Sequence, residues 1–130
     1  MLSSFRLLPV INKLHYACYS SAASIRVENL LIIGSGLMGS GIAQSTAASG
    51  QFKTVVLQDV SQTQLDKAKA GIEASLKRIQ KKDSSVNPGK IVESITFSTT
   101  LKEKDIGNGL LVIEAVPEIL EVKQELFKNL

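Results

Sequence analysis

The sequence predicts an α/β fold, a doubly wound parallel sheet with helices on both faces. Three observations carry that expectation. From residue 29 onward, short apolar runs alternate with stretches in which apolar residues recur every three or four positions. The first run, NLLII, leads into glycines spaced Gly34-x-Gly36-x-x-Gly39 and then into a helical stretch. The second run, TVVL, ends at Gln58-Asp59, with the acid twenty residues past Gly39. Strands and helices that alternate in this way build parallel sheets, because each crossover helix lies across a face.

Each element has its own signal. Residues 29–33 form a continuous apolar run that suits a strand buried on both faces. Residues 38–49 follow at helical spacing, with small Ala43, Ala47 and Ala48 permitting close packing and Gly50 as C-cap. Thr54–Leu57 is a second buried strand. Ser61 with Gln64 forms a capping-box pair at the start of a long helix. Leu65, Ala68, Ile72, Leu76 and Ile79 give that helix one apolar stripe, which stops near Asp83. DSSVNPG reads as a loop, Ile95–Thr99 as a third strand and LKEKDIGNG as a short connection. Leu110–Val116 is a fourth strand. Pro117 suits the first turn of a last helix, whose stripe is Ile119, Val122, Leu126 and Leu130. In the doubly wound order the fourth strand lies beside the first, and a fifth normally pairs with it. None follows in this sequence, so the sheet is expected to be incomplete at its C-terminal end.

Composition narrows the function. The chain has 130 residues, 44% of them hydrophobic, enough for one folded domain, expected over residues 28–130. No apolar run approaches the ~20 residues of a membrane-spanning helix. The net charge of +3 resides in residues 1–27, which hold Arg6, Lys13 and Arg26 and no acid. The remainder balances twelve basic against twelve acidic side chains, so nothing in it asks for nucleic acid. Residues 1–27 are basic, rich in Ser and Ala and free of acids, with Leu7, Val10, Ile11 and Leu14 beside Lys13. They read as a mitochondrial transit segment, placing the protein in the matrix; the plainer alternative is an N-terminal tail. The single cysteine, Cys18, and the single histidine, His15, both lie there. Residues 28–130 therefore offer no thiol or imidazole, and no metal site is expected.

The glycines have a shared explanation. Gly34 lets the chain turn sharply off the first strand. Gly36 removes a side chain where a pyrophosphate must approach the backbone, and Gly39 lets the helix pack closely. The N–H groups at the helix start then face the phosphates, aided by the helix dipole. Asp59 is placed to accept hydrogen bonds from an adenosine ribose. Its charge opposes a 2′-phosphate, and no Lys or Arg lies between residues 54 and 66 to offset that, so NAD is favoured over NADP.

Two blocks, IIGSGLMGSGIAQ and LVIEAVPEILEVKQELFKNL, resemble the N-terminal NAD-binding domain of the 3-hydroxyacyl-CoA dehydrogenases of fatty-acid β-oxidation. The resemblance spans residues 29–130 and is weakest over 83–109. With a transit-like segment directly before it, the domain is similar to the monofunctional mitochondrial type. The resemblance implies that the backbone of Gly34, Ser35, Gly36, Leu37, Met38 and Gly39 holds the pyrophosphate and Asp59 the adenosine ribose. It implies that Glu118 and Lys123 contact the nicotinamide half. Ser75 and Lys82, seven residues apart on the long helix, would touch the coenzyme A part of an acyl-CoA substrate, with Lys77, Arg78 and Lys81 nearby. An ordinary solvated basic face is the competing reading of that stripe.

The sequence departs from the family at Asn108-Gly109, at Pro117 and in the longer link SGQFKTVVLQD. The family's catalytic His, oriented by a Glu with Ser and Asn partners, lies beyond the matched blocks, so no catalytic residue is assigned. The expectation is the NAD-binding part of a truncated dehydrogenase, lacking its C-terminal catalytic and dimerisation domain. The complete enzyme would be a homodimer that oxidises L-3-hydroxyacyl-CoA to 3-ketoacyl-CoA. Two alternatives stay open: a module that binds NAD without turnover, and a Rossmann-type oxidoreductase of small hydroxy acids, which shares Gly-Leu-Met-Gly but against which the 114–123 block argues.

Overall fold

The computed structural model describes residues 26–100 and 109–128. Residues 1–25, and with them most of the expected transit segment, lie outside the described residues, as do most of LKEKDIGNG and Leu130. Four strands, β1 (Asn29–Ile33), β2 (Thr54–Gln58), β3 (Ile95–Ser98) and β4 (Leu110–Glu114), form one sheet in the order β3-β2-β1-β4. Every neighbouring pair is parallel. This is the Rossmann-type arrangement that the alternating pattern predicts.

The two faces are covered differently. On one, Leu30, Ile32, Val55, Leu57 and Ile95 pack with three helices, α1 (Leu37–Ser49), α2 (Gln62–Gln80) and α3 (Pro88–Glu93). Ala43 of α1 and Leu65, Ala68, Ile72 and Leu76 of α2 are buried there, as the stripe requires. On the other, Leu31, Ile33 and Val56 meet Leu110, Val112, Val116 and Leu126, the last from α4 (Leu120–Lys128). Within α4 no residue is fully buried, and Leu120, Val122 and Phe127 are exposed. Its apolar stripe is present but thinly used among the described residues.

Local differences from the sequence reading have physical causes. DSSVNPG is not all loop: the Asn87 side chain accepts from Lys90 N, and Pro88 opens the one-and-a-half-turn α3. The capping box at Ser61 is only half formed. Its hydroxyl accepts weakly from Gln64 N at 3.4 Å, while its own N–H donates to Asp59 Oδ1 at 3.0 Å, displacing the Gln64 side chain from that role. β4 ends at Glu114 rather than Val116, because the Glu114 carboxylate accepts from Val116 N and bends the chain out of the sheet. α4 begins at Leu120, so Pro117 precedes the helix instead of sitting in its first turn. Gly50 caps α1 in the left-handed region, as expected.

The tight packing of α1 rests on Gly39. A Cβ built there would collide with the Gly34 carbonyl oxygen and touch Ile32 Cγ2 at 3.4 Å, whereas one at Gly41 would meet nothing. The two glycines should respond oppositely to the same change. Gly39→Ala is expected to lower stability by about 1–3 kcal/mol through overpacking. Gly41→Ala should raise it by about 0.5–1 kcal/mol through helix propensity. Urea denaturation of the two variants checks both signs.

Candidate cofactor site

The C-terminal ends of β2, β1 and β4 lie side by side, because Ile33 is in register with both Gln58 and Glu114. The connections that follow β1 and β4 lead to opposite faces of the sheet, to α1 on one and α4 on the other, which makes this the topological switch point, where open α/β sheets bind ligands. Gly34 follows Ile33 and carries φ +103°, a conformation that L side chains rarely adopt. Its N–H donates to Gln58 O at 2.8 Å. A Cβ at Gly34 would stand 2.7 Å from the Ala115 carbonyl oxygen, so the turn is lodged against the peptide that follows β4.

The turn delivers the chain into α1 with its start open. Gly36, the N-cap, supplies no side chain, and no acidic residue lies in the first turn. A helix start leaves its first N–H groups without intrahelical acceptors, here those of Leu37, Met38 and Gly39. A Cβ at Gly36 would meet nothing within 4 Å, and the Leu37 and Met38 side chains stand in solvent. Open space above uncapped donors, without a competing carboxylate, fits a dinucleotide pyrophosphate.

Asp59 sits one residue beyond β2 and is tied to the glycine loop. Its Oδ2 accepts from Ser35 N and from Ser35 Oγ, both at 2.8 Å, and its Oδ1 accepts from Ser61 N at 3.0 Å. Ser35 is buried, and Asp59 is half-buried. A carboxylate offers about four lone-pair sites, so roughly one remains, and the Ser35 hydroxyl can rotate to release another. Partial burial pushes the Asp59 carboxyl up, but the Ser35 N–H, the Ser61 N–H and the Ser35 hydroxyl together outweigh it, so its pKa falls below the ordinary 3.8. The tether through Ser35 and Ser61 was not legible in the sequence, since a Gly-x-Gly loop does not say which way its x residue faces.

Across β1 from Asp59 lies a second polar group. Lys123 Nζ, on α4, is 2.7 Å from Glu118 Oε2 and 3.2 Å from Glu114 Oε2. The Glu118 side chain is 89% exposed and the Glu114 side chain 18%. The Lys123 ammonium is held above the ordinary lysine range by the Glu118 hydrogen bond, against partial desolvation, with Glu114 adding to the effect. Glu118 and Lys123 are thus brought together, and Glu114 joins them although the sequence reading gave it no role.

Ser75 and Lys82 lie elsewhere. Ser75 is half-buried on α2, thirteen residues past Gln62 and so about 20 Å along the helix from the Asp59 end. Lys82 is exposed and falls in the turn after α2 has ended at Gln80, its N–H turned back to Ile79 O, so it lies just beyond the helix that carries Ser75. A broad open hollow lined by Arg26, Glu28, Gln51 and Lys53 flanks the opposite end of the sheet, where the strands begin, away from the glycine loop. Among the described residues no three His, Cys, Asp or Glu side chains are grouped to hold a metal, and no helix is long and apolar enough to cross a membrane.

Comparison with known proteins bears on this geometry. Residues 29–130 match the family described as 3-hydroxyacyl-CoA dehydrogenase, NAD binding domain. The mitochondrial hydroxyacyl-coenzyme A dehydrogenase of Sus scrofa is 44% identical over 118 residues, and that of Homo sapiens 44% over 117. Each alignment takes in 85% of this chain and 37% of the relative, so the chain spans little more than a third of their length. A crystal structure of (S)-3-hydroxybutyryl-CoA dehydrogenase from Ralstonia eutropha superposes with a TM-score of 0.68 at 30% identity, over 79% of this chain and 36% of that one.

The Asp59 tether should be pH-dependent. Its folded pKa is depressed, so its contribution to stability is fully present above the unfolded value near 3.8 and is lost as pH falls toward the lower folded value. Asp59→Asn is therefore expected to be less stable than the unaltered chain at pH 6, with the gap closing below about pH 4. Urea midpoints of the two proteins across that range measure it.

Proposed function

The chain belongs to the 3-hydroxyacyl-CoA dehydrogenase family through its NAD-binding domain, and from that premise we propose that the C-terminal edge of its sheet holds NAD for oxidation of an L-3-hydroxyacyl-CoA. The cofactor of this domain is NAD. The observation that carries the residue assignment is the uncapped start of α1 under an open Gly36, with Asp59 fixed beside it.

The geometry of the glycine loop and the family resemblance together support the following roles. The N–H groups of Leu37, Met38 and Gly39 take the pyrophosphate, and Gly34 and Ser35 set the loop that presents them. Asp59 accepts a ribose hydroxyl on its remaining lone pair and repels a 2′-phosphate. Glu118 and Lys123 lie on the β4 side of the switch point, where the nicotinamide half would extend, and Lys123 retains one of its three N–H donors for it. NAD, when bound, supplies the hydride acceptor. Ser75, about 20 Å down α2 from the ribose end, and Lys82, just beyond the end of that helix, are proposed contacts for the coenzyme A of the substrate. The chain spans little more than a third of its mitochondrial relatives, and oxidation of the acyl-CoA, in a homodimer by family resemblance, is proposed for the enzyme of which this domain forms the NAD-binding part. The acid-free basic leader and the mitochondrial relatives support a matrix location.

Calorimetry tests the assignment. The unaltered chain should bind NAD more tightly than NADP. Asp59→Ala should weaken NAD about tenfold or more, since a hydrogen bond to a charged group contributes about 1.5–3 kcal/mol. Equal affinity for the two dinucleotides would contradict the role of Asp59.

A further inference from the structure

We infer that Glu114 is a positioning residue of the cofactor site, holding the Lys123 ammonium beside the glycine turn through one carboxylate oxygen while fixing the chain after β4 through the other. Glu114 ends β4 directly beside Ile33. Its Oε1 accepts from Val116 N at 2.9 Å, and its Oε2 lies 3.2 Å from Lys123 Nζ. The Ala115–Val116 peptide that this bond orients is the surface on which Gly34 rests, and Ala115 N donates to Ile33 O at 2.8 Å. One carboxylate thus braces both the loop assigned to the pyrophosphate and the ammonium assigned to the nicotinamide half.

Glu118 makes the shorter bond to Lys123, yet it is the weaker anchor. Its side chain is almost fully exposed and precedes the first turn of α4, where water screens the pair and the side chain is free to leave. Glu114 is sheltered, grows from a strand end and is already held by a backbone donor. A second consequence is electrostatic. An unpaired carboxylate at this place would oppose an anionic dinucleotide, and Lys123 neutralises it.

The inference rests on the NAD reading above, and the full 130-residue chain separates the two. Glu114→Gln keeps an oxygen for Val116 N but removes the charge that holds Lys123. It should retain the melting temperature and the affinity for AMP, which reports only on Asp59 and the glycine loop. Its affinity for NADH should fall about tenfold, the scale of a charged hydrogen bond. In a Lys123→Met background the same change should have little effect on NADH or improve its binding, because there is no ammonium left to position. In the unaltered chain, the Lys123 ammonium should give a slowly exchanging NMR correlation, a readout that does not depend on any variant folding. Unchanged NADH affinity in Glu114→Gln, equal losses of AMP and NADH, an undiminished loss in the Lys123→Met background, or a fast-exchanging Lys123 ammonium would each overturn the positioning role. Failure of the unaltered chain to bind either AMP or NADH would instead overturn the NAD reading and this inference with it.

Discussion

The close approach of Gly34 to the Ala115 carbonyl governs the end of the sheet where the proposed cofactor residues meet. A side chain at Gly34 would need that space, and φ +103° would strain it. Because the turn fits, β1 and β4 stay paired to their last residues, and the chain swings directly into α1. Gly39 then lies against the Gly34 carbonyl, which sets the helix low over the strand end. On the β2 side the same loop presents Ser35 to Asp59, and on the β4 side it rests on the peptide braced by Glu114. Three strand ends are thereby locked into one platform by short-range contacts, which suits a site that must exist before its ligand arrives.

Charge is distributed to match. The domain is neutral as a whole, so long-range attraction does little to recruit an anionic dinucleotide. What it offers is local. The first turn of α1 has no acid to compete with a phosphate, Asp59 has its charge spread over three donors, and Glu114 is paired with Lys123. The two carboxylates flank the loop, one toward each half of an extended ligand.

Much of this was legible in the sequence. NLLII, TVVL and the Leu65–Leu76 stripe read as β1, β2 and α2 because each buries nearly every apolar residue that defines its period. The glycine loop was legible because its spacing falls between a strand and a helix. What escaped was tertiary. Ser61 was read as half of a capping box, but Asp59, two residues earlier, takes its N–H. Counting sets Lys82 on the same helix as Ser75, yet α2 stops at Gln80. Glu114 looked like one more residue of a strand, and only the register that sets it beside Ile33, with Lys123 folded back over it, gives it a role. In the sequence Gly109 stands out only as a departure from the family. Its φ of +71°, and the Arg26 carbonyl that a Cβ there would strike, show a tight crossing into β4 that permits no larger residue.

The proposed site sets NAD across the C-terminal ends of β1, β2 and β4, with its pyrophosphate on the start of α1. Backbone amide chemical-shift mapping with added NAD tests this most directly, because the donors in question are themselves the probes. With NAD seated there, the largest shifts should fall on Ser35, Leu37, Met38 and Gly39, with smaller ones at Ser61 and Val116. Shifts concentrated instead on residues 26–28 and 50–53, around the hollow where the strands begin, or on the C-terminal half of α2, would contradict it.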